Sequence, residues 1–156
     1  FRCEFPNTCL ISNGFASMGI ALPGAIAAKL ACPERTVVAA TGDGGFLMNV
    51  QELETAVRLK TPMIVLIWND SGYGLIEWKQ MAQFGRPAFV KFGNPDFVKL
   101  AESFGARGYR IEPGMSLQDV LREAVASNEV CVIDVPVDYS ENLKLTARLG
   151  EMISPM

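Results

Sequence analysis

The fold of this chain is decided by TVVAATGDGGF at residues 36–46 and MIVLIWNDSGY at residues 63–73. Each stretch begins with a short apolar run, residues 36–40 in the first and 63–68 in the second, and each ends in Gly, Asp and other turn residues. Short runs that are rich in Val and Ile and bounded in this way are typical of buried parallel strands. Both turns should therefore lie at the carboxyl ends of strands, which is the edge of an open α/β sheet where ligands bind.

The residues in these two turns suit a phosphate group that is held by a metal ion. Asp43 and Asp70 supply hard oxygen ligands of the kind that Mg²⁺ or Ca²⁺ prefers. Gly44 and Gly45 lack a Cβ atom, so a phosphate can approach their backbone N–H groups, and the N-terminus of the following helix adds a partial positive charge. The alternative is two ordinary strand-to-helix turns that use Gly and Asp for their geometry alone.

The two motifs also resemble a known signature when they are taken together. Gly42-Asp43-Gly44, followed after residues 45–68 by Asn69-Asp70, is similar to the motif that binds thiamin diphosphate (ThDP). Three further stretches agree: ISNG with SMG at residues 11–14 and 17–19, ELETA at 52–56, and AESFGA at 101–106. Over roughly residues 8–140 the chain resembles the C-terminal, diphosphate-binding domain of the acetolactate synthase family of ThDP-dependent enzymes, and among these the catabolic type.

The resemblance implies ThDP and Mg²⁺ as cofactors, and it implies the residues that hold them. The metal ligands would be the side chains of Asp43 and Asp70 and the backbone carbonyl of Gly72, whereas Asn69 would secure the turn. Met18 would support the bend of ThDP between its two rings, although by residue type alone it is core filler. The full set expected at the cofactor is Gly14, Met18, Gly42, Asp43, Gly44, Gly45, Asp70, Gly72, Tyr73, Gly74 and Leu75.

The resemblance also implies where substrate and partner contacts lie. Ile76, Trp78 and Lys79 fall in the substrate region of the family, with packing as the alternative for Trp78. In biosynthetic relatives a Trp that favours 2-ketobutyrate occupies the place of Lys79, which speaks against a branched-chain biosynthetic role. The carboxylate that activates the cofactor in this family is a Glu on a separate pyrimidine-binding domain of the same or a neighbouring subunit. We therefore expect a homo-oligomer, no catalytic residue in this chain and no carboligase activity from the chain alone.

The implied activity is decarboxylation of pyruvate and carboligation to a second 2-keto acid. One alternative is another ThDP enzyme: a pyruvate oxidase, a glyoxylate carboligase or a 2-keto acid decarboxylase. Another is a non-catalytic module that binds a nucleotide or phosphate, and a third is an interaction fragment whose site has been lost. No Gly-x-Gly-x-x-Gly motif follows residues 36–40, which counts against NAD.

The composition sets bounds on these possibilities. The 156 residues are 49% apolar and 20% charged with a net charge of −3, which fits one globular domain over 1–156 and gives no sign of nucleic-acid or membrane binding. There is no histidine, so a Ser-His-Asp triad and a His-ligated metal are excluded. Four cysteines without C-x-x-C spacing lead us to expect small buried thiols and a cytoplasmic protein.

The remaining pattern predicts an α/β fold with three layers, in which helices cover both sides of a mostly parallel sheet, as in the ThDP-binding fold. Asn94-Pro95-Asp96 has the form of a helix start, with Asn94 as the cap and Pro95 at the first position, and Gly105 should end that helix. The other predicted helices cover 14–31, 50–60, 73–82 and 116–127, the other strands 109–111 and 130–135, and the predicted loops include 41–46 and 83–93. Residues 1–13 give no clear start signal, and residues 140–156 should form a polar tail that packs on another domain or subunit.

Overall fold

The computed structural model describes residue 3 and residues 5–141. Residues 142–156, which include most of the predicted polar tail, lie outside this range. The elements in chain order are α1 (Ala21–Ala31), β1 (Val38–Gly42), α2 (Asp43–Leu47), α3 (Glu52–Arg58), β2 (Met63–Asn69), α4 (Gly74–Phe84), α5 (Phe97–Ser103), β3 (Arg107–Arg110), α6 (Leu117–Ser127) and β4 (Val130–Pro136). Among these residues, no helix combines the length and apolar character that a membrane span requires.

The described strands form one sheet in the order β1-β2-β4-β3, and every neighbouring pair is parallel. β1 and β2 lie side by side, with Gly42 opposite Trp68. The two strands that the sequence analysis placed before the Gly-Asp and Asn-Asp motifs are therefore direct neighbours. Their carboxyl ends meet at one edge of the sheet, as predicted.

Side chains alternate between the two faces of the sheet and bury a core on each. On one face Met63, Val65 and Ile67 of β2 pack with residues of α1, α2, α3 and α5. On the other face Ile64 and Leu66 pack with α6. This alternation follows from the two-residue period of a strand, and it confirms the predicted three-layer α/β fold.

The predicted loop at residues 41–46 is wrong in part, because Asp43 to Leu47 form the short helix α2. Gly42 is extended, with φ −74° and ψ 163°, so the chain turns a corner between β1 and α2. Phe46 is 2% exposed, and its ring meets Phe97 edge-on with centroids 5.6 Å apart. Burial of this ring holds the motif in a helical turn that Gly44 and Gly45 alone would not favour.

Two helix starts also differ from the prediction. Asp96, not Asn94, caps α5, because its side chain accepts hydrogen bonds from the N–H groups of Val98 and Lys99. Pro95 accordingly precedes the helix instead of occupying its first position. Helix α1 starts at Ala21 and not near residue 14, because Gly19 takes a positive φ of 87° that an α-helix does not allow.

The cysteines correct a further expectation. All four are free thiols, but only Cys131 on β4 is buried, whereas Cys32 is half-buried and Cys3 and Cys9 are exposed. Burial raises the pKa of the Cys131 thiol, so that thiol is the least reactive of the four by its environment. The expectation of small, buried thiols therefore holds for Cys131 and not for the other three cysteines.

Candidate functional site

The site is built where β1 and β2 end next to each other. Asp43 is the first residue after β1, and Asp70 is the first residue after β2. The backbone N–H of Ser71 donates a hydrogen bond of 2.8 Å to Oδ2 of Asp43, which ties the two motifs together. Asp70 directly precedes Ser71, and the negative charge of Asp43 contributes to raising the pKa of the Asp70 carboxyl group. The structure thus brings the two acidic residues of the motifs to one place.

Asp43 is held tightly. Its side chain is buried, with 1% exposure. Oδ1 accepts a bond of 2.7 Å from the N–H of Gly44, and Oδ2 accepts bonds from the N–H of Ser71 and from Nδ2 of Asn94 at 2.8 and 2.7 Å. Because a carboxylate offers about four acceptor positions, three bonds leave one position, on Oδ1, for another partner.

Asp70 is less buried than Asp43, and its surroundings stabilise its charged form less well. Burial is the largest cause that raises the pKa of its carboxyl group, followed by the charge of Asp43, while the Lys91 ammonium and a backbone hydrogen bond lower it. Both of the leading causes disfavour the charged form when no cation is near. A divalent cation between the two aspartates would offset both.

The loop after Asp70 is pinned by residues 90–92. Tyr73 donates its backbone N–H to the carbonyl of Val90 at 2.8 Å, Phe92 donates to the carbonyl of Ser71 at 3.2 Å, and Gly72 forms a bridge with Lys91. The Tyr73 ring packs on Phe92, with centroids 4.8 Å apart. This segment was predicted as part of a plain loop, but it fixes the backbone around the proposed carbonyl ligand.

Two glycines of the motifs are explained by close packing. A Cβ on Gly44 would lie 2.7 Å from Cε1 of Tyr73, so the ring can cover this position only if the residue is glycine. A Cβ on Gly74 would lie 2.8 Å from Oδ2 of Asp70. The N–H of Gly44 donates to Asp43, so this glycine serves the geometry of the aspartate as well as the approach to a phosphate.

The predicted residues before α1 lie at different distances from this centre. Met18 precedes Gly19, whose N atom is 3.8 Å from the Cβ position of Gly45, and Met18 is about half exposed. The carbonyl of Gly19 accepts a bond of 3.0 Å from Nδ2 of Asn49, which fixes this turn beside α2. Gly14 is exposed, and no atom lies within 4 Å of its Cβ position. Met18 is therefore beside the first motif, whereas Gly14 is brought to it by no contact within the described residues.

The residues predicted for the substrate region lie on the first two turns of α4. Every residue of this helix is at least partly exposed. Leu75, Ile76 and Lys79 are exposed, and Trp78 is half-buried. Since α4 begins at Gly74, these side chains follow directly on the loop that carries Asp70.

Comparison with known proteins assigns the chain to a family. The sequence model of the family described as thiamine pyrophosphate enzyme, C-terminal TPP binding domain, matches residues 1–135. The chain belongs to this family. Thiamine pyrophosphate is ThDP, so the cofactor that the motifs suggested is the one that the family binds.

The relatives of this TPP-binding domain are larger proteins. The chain is 50% identical to an acetolactate synthase of Bacillus subtilis over 98% of the chain and 28% of that protein. It is 44% identical to a catabolic acetolactate synthase of Raoultella terrigena over 90% of the chain and 25% of that protein. A putative thiamine pyrophosphate-containing protein of Bacillus subtilis, YdaP, is 41% identical over 88% of the chain and 24% of that protein. The chain thus spans about a quarter of the length of these relatives.

The side chains of the TPP-binding domain fit Mg²⁺ with a diphosphate. Asp43 and Asp70 are hard oxygen donors, Asp43 retains an acceptor position, and the repulsion that raises the pKa of Asp70 favours a cation. Within the described residues there is no cluster of three or more Asp, Glu, His or Cys side chains that could hold a metal. Mg²⁺ is usually bound by one or two carboxylates together with waters and phosphate oxygens, and the two aspartates match that number.

Sequence reasoning missed three side chains at this site. Asn94 was interpreted as a helix cap, yet its amide donates to Asp43. Lys91 forms an ion pair of 2.7 Å with Glu77 and lowers the pKa of Asp70. Cδ2 of Tyr139 lies 3.8 Å from the Cβ position of Gly74, and burial, followed by the charges of Asp70 and Asp43, raises the pKa of its hydroxyl group. Tyr139 follows β4 at the same sheet edge, and that position was the available signal.

Proposed function

We propose that this domain anchors the diphosphate of ThDP through Mg²⁺ in an acetolactate-synthase-like enzyme. The observation that carries the proposal is the meeting of Asp43 and Asp70 at the ends of adjacent parallel strands, linked by the hydrogen bond from Ser71 to Asp43. Two carboxylates at the ends of neighbouring strands can bind the same ion, whereas carboxylates on two turns that lie apart cannot. The printed names of two relatives, both acetolactate synthases, support the choice of reaction.

In this proposal each residue has a defined task. Asp43, Asp70 and the carbonyl of Gly72 hold Mg²⁺, and the backbone around Gly44 and Gly45 admits the diphosphate. When bound, ThDP supplies the carbanion chemistry that decarboxylates pyruvate and joins the remaining unit to a second 2-keto acid. Ile76, Trp78 and Lys79 on α4 would contact the substrate, and Met18 would set the bend of the cofactor. The protein's contribution here is binding and orientation.

We also propose that the rest of the site comes from elsewhere in the assembly. A pyrimidine-binding domain of the same or a neighbouring subunit would supply the activating Glu, in a homo-oligomeric, cytoplasmic enzyme. The domain by itself should then give no acetolactate from pyruvate with ThDP and Mg²⁺. Acetolactate formation by the isolated chain at the rate of the full-length protein would contradict this part of the proposal.

The cofactor assignment is tested by calorimetry on the full-length protein. ThDP should bind with Mg²⁺ and lose most of its affinity in EDTA, and ADP or NAD should not replace it. Asp43→Ala should abolish the binding, because it removes a metal ligand and the anchor of the Ser71 amide. Asp119→Ala, at an exposed position on α6, is the matched control and should bind normally. Unchanged ThDP affinity in Asp43→Ala would refute the site.

A second candidate function is another ThDP-dependent reaction. The 41% identity to YdaP, whose printed name gives ThDP but no reaction, favours keeping it open. Flavin analysis of the full-length protein and a panel of 2-keto acids as substrates would separate an oxidase, a decarboxylase and a carboligase. Acetolactate as the main product, without bound flavin, is the outcome that our proposal expects.

A further inference from the structure

A line of hydrogen-bonded side chains runs from Asp43 into the sheet. Nδ2 of Asn94 donates to Oδ2 of Asp43 at 2.7 Å and to Oδ1 of Asn69 at 2.9 Å. Nδ2 of Asn69 donates in turn to Oδ1 of Asp134 at 2.9 Å. Arg110 closes the line, since its Nη1 donates to Oδ2 of Asp134 at 2.8 Å. The four strands β1, β2, β4 and β3 thus each carry or adjoin one member of the line.

Asp134 is the fixed point of this line. It is 1% exposed and lies on β4 opposite Arg110 of β3. A buried carboxylate is stable only when it is paired and hydrogen-bonded, and here each of its oxygens has a donor. Because a carboxylate only accepts hydrogen bonds, Asp134 obliges Asn69 to turn its NH₂ group towards β4.

The orientation of Asn69 matches that of Asn94, whose NH₂ group bonds both Asn69 and Asp43. With its NH₂ group on Asp134, Asn69 presents Oδ1 to the N–H of Ser71 and to Asn94. Asn94 therefore donates a hydrogen bond to Asn69 from its own NH₂ group, and the same group also donates to Asp43. Oδ1 of Asn94 is buried without a hydrogen-bond partner among the described residues, so its two donor contacts outweigh the loss of its acceptor. The carboxylates of Asp43 and Asp134 can only accept, so together they fix the directions of the bonds between them.

We propose that Asn94, Asn69 and Asp134 are positioning residues for the metal site. Asn94 occupies Oδ2 of Asp43 and leaves Oδ1, the oxygen with the remaining acceptor position, for the ion, while Asn69 and Asp134 hold the Asn94 amide in this orientation. This inference rests on the proposed function, since it concerns how Asp43 holds Mg²⁺. Partners of this kind around a metal ligand typically change metal affinity by about 10- to 100-fold when they are replaced.

The test compares Asn94→Ala and Asp134→Asn with the wild type in the full-length protein. In Asp134→Asn the amide has only one oxygen, so Arg110 and Asn69 compete for it and the orientation of Asn69 is no longer fixed. We expect the Mg²⁺ concentration for half-maximal ThDP binding to rise about tenfold in each variant, with ThDP affinity restored at saturating Mg²⁺. The double variant should be little worse than either single one, because both break the same line. Asp119→Asn, an exposed carboxylate on α6, is the control for charge removal.

The readouts separate this role from a structural one and from failure of the proposed function. A residue that only supports folding would lower the melting temperature in EDTA without moving the Mg²⁺ requirement of the folded protein, and that result would overturn the inference. If Asp134→Asn does not fold, Asn94→Ala decides alone, because Asn94 lies outside the helices and strands. If Asp43→Ala abolishes Mg²⁺-dependent binding while Asn94→Ala leaves the Mg²⁺ requirement unchanged, only the inference fails. If the wild type binds ThDP equally well in EDTA, the proposed function and the inference fail together.

Discussion

The two aspartates at this site, Asp43 and Asp70, have different environments. Asp43 is buried and accepts three hydrogen bonds, so its oxygens are oriented before any ligand binds. Asp70 is half-buried, and burial together with the charge of Asp43 raises its pKa, so its surroundings favour the charged form less than water does. Asp43 is therefore part of the folded framework, whereas under the proposed function Asp70 contributes mainly by binding the ion.

The two Asp→Asn variants should consequently differ. In Asp43→Asn an NH₂ group must face at least one of the donors from Gly44, Ser71 and Asn94, and a lost bond of this kind costs about 1–3 kcal/mol of folding stability. Asp70→Asn removes an unfavourable charge and keeps one oxygen, so without metal its stability should equal or exceed that of the wild type. Urea denaturation in EDTA measures both free energies of unfolding. Equal destabilisation by the two variants would contradict the assigned roles.

At the scale of elements, helix α2 connects the motif to the core. Its five residues are too few to be stable alone, and Phe46 is the side chain that buries it against Phe97 of α5. Since Asp43 is the first residue of the same helix, loss of the Phe46 ring should loosen this proposed metal ligand as well as the core.

Phe46→Ala should therefore reduce the free energy of unfolding by about 3–5 kcal/mol, because it leaves a large cavity between α2, α5 and the sheet. The control is Phe15→Ala, which removes the same ring from a position that is 96% exposed and should change stability by less than about 0.5 kcal/mol. Urea denaturation of the two variants gives the comparison. A loss of similar size in both would show that Phe46 does not anchor α2.

The sequence predicts those helices and strands that a local pattern defines. The prediction fails where tertiary contacts determine the structure. The apolar runs at 36–40 and 63–68 identified β1 and β2 to within about two residues. The prediction that both strands are buried is right for β2 but wrong for β1, which lies at the edge of the described sheet with Val38 and Ala40 exposed. Helix α2 was missed because two glycines argue against a helix, and only the burial of Phe46 overrides them. Asn94 was taken for a cap because Asn-Pro-Asp suits a helix start, and nothing local shows that its amide reaches Asp43.

At the scale of the whole molecule, the site depends on the complete sheet. The ends of β1 and β2 provide the aspartates, while β4 and β3 provide Asp134 and Arg110, which orient Asn69. Parallel strand order predicts that the two motifs converge, and this part was accessible from the sequence. The hydrogen-bonded line was not, because it joins residues 24 to 65 positions apart.

Because the proposed metal ligands follow separate strands, Mg²⁺ and ThDP should stabilise the whole fold and not one loop. A ligand present at 100 times its dissociation constant, and bound only by the folded state, adds about 2.7 kcal/mol to the free energy of unfolding. We therefore expect Mg²⁺ with ThDP to raise the melting temperature of the full-length protein, and EDTA to cancel that rise. Thiamin monophosphate, which lacks the second phosphate, should give a smaller shift, and Asp43→Ala should give none. Calorimetric melting curves measure all four conditions. An equal shift with ThDP in the presence of EDTA would mean that the cofactor binds without the ion, and the pair of aspartates would then need a different explanation.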